Sequence, residues 1–155
     1  MDFDTRDYRN ALGRFATGVT LVTTQTADGP LGMTVNSFAS VSLDPPLVLW
    51  SPARKSPRFP AFAAATHFAV HVLTQAQRPI AERFSRDGFD FSGLEHGTGL
   101  GGVPVLQNTS ACFQCLRTAE HDGGDHLILV GAVLEYSHSD APPLIYCHGQ
   151  YRDLS

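Results

Sequence analysis

The stretch GMTVNSFASVSLDPPLVL, Gly32 to Leu49, decides how this chain is read. Thr34, Asn36, Ser37 and Ser40 make a small, polar centre between two runs of strand-forming residues. Pro45-Pro46 then interrupts sheet pairing, because proline brings no N–H to a ladder. A segment of this kind leaves backbone N–H groups free to meet a ligand.

Working outward, Val19 to Gln25 is β-branched and alternating, Ala27-Asp28-Gly29 supplies a turn, and Pro30 to Phe38 runs back, which predicts a β-hairpin over 19–38. Upstream, Tyr8, Ala11, Leu12, Phe15 and Ala16 recur at helical spacing. They predict an amphipathic helix from Thr5 to Ala16, with Thr5 as N-cap, packed on a sheet. Downstream, Val41 to Trp50 reads as a third strand broken at Asp44-Pro45-Pro46. Prolines 52, 57 and 60 force a loop before a short helix over Ala61 to Ala65, and Arg54, Lys55 and Arg58 crowd that loop. His67 to Thr74 reads as a strand and Gln75 to Ser85 as a second helix. Arg86 to Pro104 carries glycines at 88, 93, 97, 99, 101 and 102 and reads as an irregular loop, a candidate gate. Two long strands, Ala111 to Glu120 and His126 to Ser137, meet at the turn His121 to Asp125, and Leu144 to Cys147 adds a short one. Links of hairpin length predict one mainly β domain over residues 1–155, an antiparallel barrel or half-open barrel with short helices as covers. A doubly wound sheet would need a helix after nearly every strand.

Eleven basic and fifteen acidic residues give a net charge of −4, which argues against nucleic acid or an anionic membrane as partner. Any anion must be met locally. The polar start MDFDTRDYRN has no signal-peptide core, no apolar run reaches membrane-spanning length, and three cysteines cannot all pair internally. These features predict a cytoplasmic protein.

Several motifs carry less than they promise. GTGLGG at 97–102 satisfies G-x-G-x-x-G, yet no strand precedes it and Val103-Pro104 follows where a helix must open, so it reads as loop. Cys112 and Cys115 lie three apart on a strand, point to opposite faces and cannot share a metal. His121, Asp122, Asp125 and His126 suit a tight hairpin turn better than a metal site, and no G-x-S-x-G elbow supports a hydrolase. Ser51, Lys55 and Ser56 are different: they offer a charge and hydroxyl donors of the kind a phosphate accepts, and Lys55 is the only lysine. His126 opens a strand just after a Gly-Asp turn, where it can lean over a site.

Together these residues resemble the flavin reductase family with a split-barrel FMN-binding fold, the small component of two-component flavin-dependent monooxygenases. The resemblance rests on ALGRFATGVTLVTT at 11–24, GMTVNSFASVSLDPPLVL at 32–49, FAVHVL at 68–73, Gly124-Asp125-His126 with its strand, and PPLIYCHGQY at 142–151. It implies a homodimeric split β-barrel that binds FMN or FAD, reduces it with NADH or NADPH, and serves an oxygenase component. Carried over by position, Thr34, Val35, Asn36, Ser37, Ser40 and Val41 would hold the isoalloxazine edge. Ser51, Lys55 and Ser56 would hold the phosphate, with Arg83 and Phe84 nearby. His126 would stand near the nicotinamide, and Tyr151 would close the pocket. Two other readings share the broad fold: an FMN carrier without turnover, and a flavin oxidase, for which a dense basic cluster is missing. Ala39, Trp50 and Cys147-His148 depart from the family pattern and leave flavin and nucleotide preference open.

Overall fold

The computed structural model describes residues 2–154. β-Branched alternation makes Thr20–Thr26 (β2) and Gly29–Val35 (β3) a tight antiparallel hairpin in full register from Thr20 opposite Val35 to Thr26 opposite Gly29. After the two-residue β1 (Thr17–Gly18) and this hairpin come Ala39–Leu43 (β4), Pro46–Trp50 (β5), His67–Val72 (β6), the pair His96–Thr98 (β7) and Pro104–Leu106 (β8), Ala111–Gly123 (β9), His126–His138 (β10), Leu144–Cys147 (β11) and Gln150–Asp153 (β12). The helices are Thr5–Leu12 (α1), Phe59–Ala64 (α2) and Arg78–Arg86 (α3).

Seven strands form one antiparallel sheet in the order β3-β2-β6-β9-β10-β5-β4. Its edges, β3 and β4, are consecutive in sequence and joined only by Asn36–Phe38. Four residue steps from Val35 to Ala39 reach at most about 14 Å, so the sheet must curl until its edges meet at that link. The result is the mainly antiparallel, split-barrel-like fold anticipated above, with its split at residues 36–38. A second sheet, β1-β11-β12, lies beside it.

Alternation along each strand sorts the core. Val22, Leu31, Met33, Trp50, Phe68, Val70, Cys115 and Leu129 pack together inside the curl, where Phe62 of α2 meets Trp50 edge-on. Val19, Leu21, Leu73 and Leu144 pack under Ala81 and Phe84 of α3. Cys112 and Cys115 fall on opposite faces, and burial pushes their thiols up to about 11 and about 12, as expected of inert core sulfurs.

Four elements differ from expectation. The first helix ends at Leu12, is capped by Asp4 through the amides of Arg6 and Asp7, and buries no residue, leaving Phe15 80% exposed. Thr5 is its first helical residue. The run 41–50 folds back on itself as the β4–β5 hairpin, with a cis bond between Asp44 and Pro45. The glycine-rich stretch carries the β7–β8 ribbon, and the glycines at 99 and 101 lie flush against the side chains of Gln114 and His67. Close packing explains those glycines without any phosphate. A further strand, β12, pairs with β11 across a turn made by His148 and Gly149, both at positive φ.

Candidate functional site

At the split the backbone is also short of partners. The amides of Asn36, Ser37 and Phe38 find no acceptor among the described residues, because neither ladder flanking the link extends to them. The Ser37 side chain holds the link in place: its Oγ accepts the Ser51 amide at 2.9 Å and donates to the Ser51 carbonyl at 3.3 Å. The end of β5 is thereby fastened beside the end of β3.

Two connected hollows open from this point. A small one of about 170 Å³ is lined by Thr34, Val35, Asn36, Ser85, Tyr146 and Tyr151. A larger cleft of about 790 Å³ shares Thr34 and Ser85 with it and runs on past Met33, Ser56, Arg58 and Gly88. That volume lies within the roughly 300–1,000 Å³ usual for small-molecule sites. Tyr151 is set in its wall by Tyr146, ring centroids 5.4 Å apart, and by the Arg78 guanidinium 5.3 Å from its own centroid.

The loop after β5 lies against the β9–β10 turn. Ala53 bridges to His126, the Arg54 amide donates to the Asp125 carbonyl at 2.9 Å, and the Arg54 guanidinium pairs with Asp122 at 2.7 Å. His126 Nδ1 stands 2.7 Å from Asp125 Oδ1. An ionised carboxylate can only accept, so Nδ1 carries the proton and Nε2 is left free. The bond from His126, then its charge and that of Lys55, hold the exposed Asp125 carboxyl below the usual carboxylate range. Lys55 and His126 therefore share one neighbourhood. Among the described residues no group of three or more His, Cys, Asp or Glu could hold a metal.

Thr34, Val35, Asn36, Ser56 and Tyr151 line the hollows, and Ser37 and Ser51 tie their rim. Ser40 and Val41 lie on the β4 edge, Val41 as the extra residue of a bulge, and line neither hollow. Phe84 is also among the residues lining the larger cleft, although its side chain is almost wholly buried against Phe91. Arg83 donates to the carbonyls of Asp90 and Ser92, at 3.3 and 2.8 Å, and pins the loop after α3. The reading of sequence passed over Arg58 and Ser85. Arg58 lines the cleft while its Nη1 donates to the carbonyls of Gly32 and Phe84. Burial lowers its pKa, an effect partly countered by Asp87. Its place in the basic loop was the only signal.

The flavin reductase like domain matches residues 12–155. The chain belongs to that family. This flavin reductase family member is 56% identical over 152 residues to the FMN reductase (NADH) SmoA of Agrobacterium fabrum, covering 98% of this chain and 87% of the relative. It is 38% identical over 155 residues to HsaB of Mycobacterium tuberculosis, the reductase subunit of a flavin-dependent monooxygenase, covering 97% and 83%. The Streptomyces globisporus NADH:FAD oxidoreductase SgcE6 superposes with a TM-score of 0.93 at 32% identity, over 98% of this chain and 93% of that one.

Proposed function

We propose that this flavin reductase family member transfers hydride from NADH or NADPH to FMN or FAD and supplies the reduced flavin to a partner monooxygenase. The observation that carries this reading is the link Asn36 to Phe38 with its unpaired amides, whose Asn36 lines a small hollow that shares Thr34 and Ser85 with a cleft of about 790 Å³. A planar ring with acceptor atoms along one edge satisfies these donors, so the residues present fit the cofactor. Family membership and the relatives' names support the same chemistry.

A flavin bound there would supply the redox chemistry, as acceptor of a hydride from the nicotinamide. The chain itself needs no nucleophile. Its amides at 36–38 offset negative charge that develops along the ring edge during transfer, at no cost of reorganisation, because Ser37 already holds the link. Ser56, with Lys55 and Ser51 nearby, offers hydroxyls and positive charge to the flavin phosphate. His126 presents its free Nε2 as acceptor to the nicotinamide amide or as a proton relay, and Tyr151 closes the small hollow against water.

The working unit in this reading is a cytoplasmic homodimer. Leu43 is 95% exposed and Tyr136 71% exposed, with Val41 and Leu134 also uncovered, and a second copy would cover these apolar positions. Its three free cysteines suit a reducing compartment. Among the described residues no helix is long and apolar enough to cross a membrane.

The deciding experiment mixes the purified protein with NADH or NADPH and catalytic FMN or FAD and follows nicotinamide absorbance. Rapid consumption that depends on added flavin supports the reductase. A yellow protein that consumes no nicotinamide would overturn it in favour of a carrier.

A further inference from the structure

The large cleft follows the free edge of β3, and its residues can be ordered along that strand. Thr34 and Ser85 mark the end at the split. Two residues back, Gly32 marks the middle: Arg58 reaches its carbonyl at 3.1 Å and its amide donates to the Gly88 carbonyl at 2.8 Å. Ser56, two residues before Arg58, is tied to it by the Arg58 amide, 3.2 Å from Ser56 Oγ. A flavin whose ring meets Asn36 to Phe38 therefore places its phosphate near this middle level.

The cleft does not stop there. Its lining also includes Thr26 and Asp28 at the β2–β3 turn, and Arg86 and Phe89 from the end of α3 and the loop after it. Four residue steps along β3 and into its turn separate Gly32 from Asp28, at most roughly 13 Å at about 3.3 Å per residue. FMN ends at its phosphate and leaves that reach empty.

The outer reach has the features of a nucleoside site. Phe89 is half exposed, at 50%, although it lines a cleft, and its amide is fixed by Asp87 Oδ1 at 2.9 Å, so the residue is placed but its ring is not consumed by the core. Asp28 and Arg86 form no ion pair among the described residues. A flat aromatic face suits a purine, an unengaged carboxylate suits ribose hydroxyls or an exocyclic amine, and a free guanidinium suits the second phosphate of a pyrophosphate.

We propose that the outer cleft is an adenosine subsite, with Phe89 stacking the adenine, Asp28 accepting from the ribose or adenine amine, and Arg86 meeting the pyrophosphate, so that this chain prefers FAD to FMN. The inference rests on the flavin reductase reading and names which flavin that site takes. It separates this chain from what its relative's name, FMN reductase, would suggest.

The test titrates the full-length protein with oxidised FMN and FAD, following flavin fluorescence or heat of binding, with no turnover involved. Wild type should bind FAD roughly tenfold more tightly than FMN, the order of size expected from one stacked base. Phe89→Ala and Asp28→Ala should each remove most of that advantage while FMN affinity stays put, and Phe89→Tyr should restore it. AMP should compete with FAD and not with FMN. Equal affinity for the two flavins, or variants that weaken both alike, overturns the subsite and leaves the reductase reading standing. Failure of both flavins to bind overturns the reductase reading and the subsite together.

Discussion

Ser37 Oγ and the Ser51 backbone form a paired bond, accepting the amide at 2.9 Å and donating to the carbonyl at 3.3 Å, across the split of the barrel. The contact joins the end of one edge strand to the end of the strand next to the other. It therefore sets where the three free amides point. Ser37→Ala removes both bonds at a cost of about 1 kcal/mol, seen as a small fall in melting temperature. Flavin affinity should fall by more than that stability loss alone explains. A variant that binds flavin like wild type would show that the link is placed by the backbone without help.

Arg58 couples the cleft to the core. Its half-buried guanidinium serves the carbonyls of Gly32 and Phe84, and Gly88 is packed so closely on the Arg58 side chain that it has no room for a Cβ. Replacing it by alanine leaves two carbonyls short of a charged donor and costs about 1.5–3 kcal/mol. The urea midpoint should drop accordingly with little change in slope. An unchanged midpoint would mean that water replaces the guanidinium freely.

His71 predicts a pH response. It is fully buried, its Nδ1 donates to the Leu21 carbonyl at 3.0 Å, and its Nε2 accepts the Leu106 amide at 3.1 Å, which holds β2, β6 and β8 together around a neutral ring. Burial lowers its pKa to about 4, an effect only partly countered by the bond to Leu21. The unfolded chain takes up this proton near pH 6.5 and the folded chain only near 4. The contribution is thus complete above 6.5 and is lost as pH falls through 4, about 3 kcal/mol in all. Denaturant melts from pH 7 to 4 should show that slope, and His71→Gln should flatten it while lowering stability at neutral pH.

His126 is partly exposed and contributes little to the fold, since its partner Asp125 is itself exposed. His126→Ala should slow nicotinamide consumption at saturating flavin roughly 10-fold or more, in line with loss of a positioned acid–base group. The flavin dissociation constant should barely move. A raised dissociation constant with unchanged turnover would assign His126 to flavin binding.

Lys55 is the single lysine and lies near Asp125, beside the cleft and outside its lining. Lys55→Ala should weaken flavin binding more at low salt than at high, because an exposed charge acts on the phosphate through screened solvent. Equal losses at both ionic strengths would remove it from the phosphate site.

Much of this molecule was decided locally. The β2–β3 hairpin follows from β-branched alternation around Ala27-Asp28-Gly29, the β4–β5 break from Pro45-Pro46, and the opposite facing of Cys112 and Cys115 from the two-residue period of a strand. Those features depend on neighbours in sequence, and so did the polar link at 36–38. Other outcomes depend on partners far along the chain. How deeply Phe84 is buried is set by Phe91 and Gly32, and Arg58 lines the cleft because Gly32 and Phe84 present it their carbonyls, while Arg83 is held by those of Asp90 and Ser92. No periodicity encodes such pairings. The sequence by itself determined an antiparallel β domain with a small polar link between two of its strands. Only the tertiary structure decided that this link bridges opposite edges of one curled sheet, and that a cleft beside β3 gathers Thr34, Asp28 and Phe89 into one lining, because both follow from how distant strands close on one another.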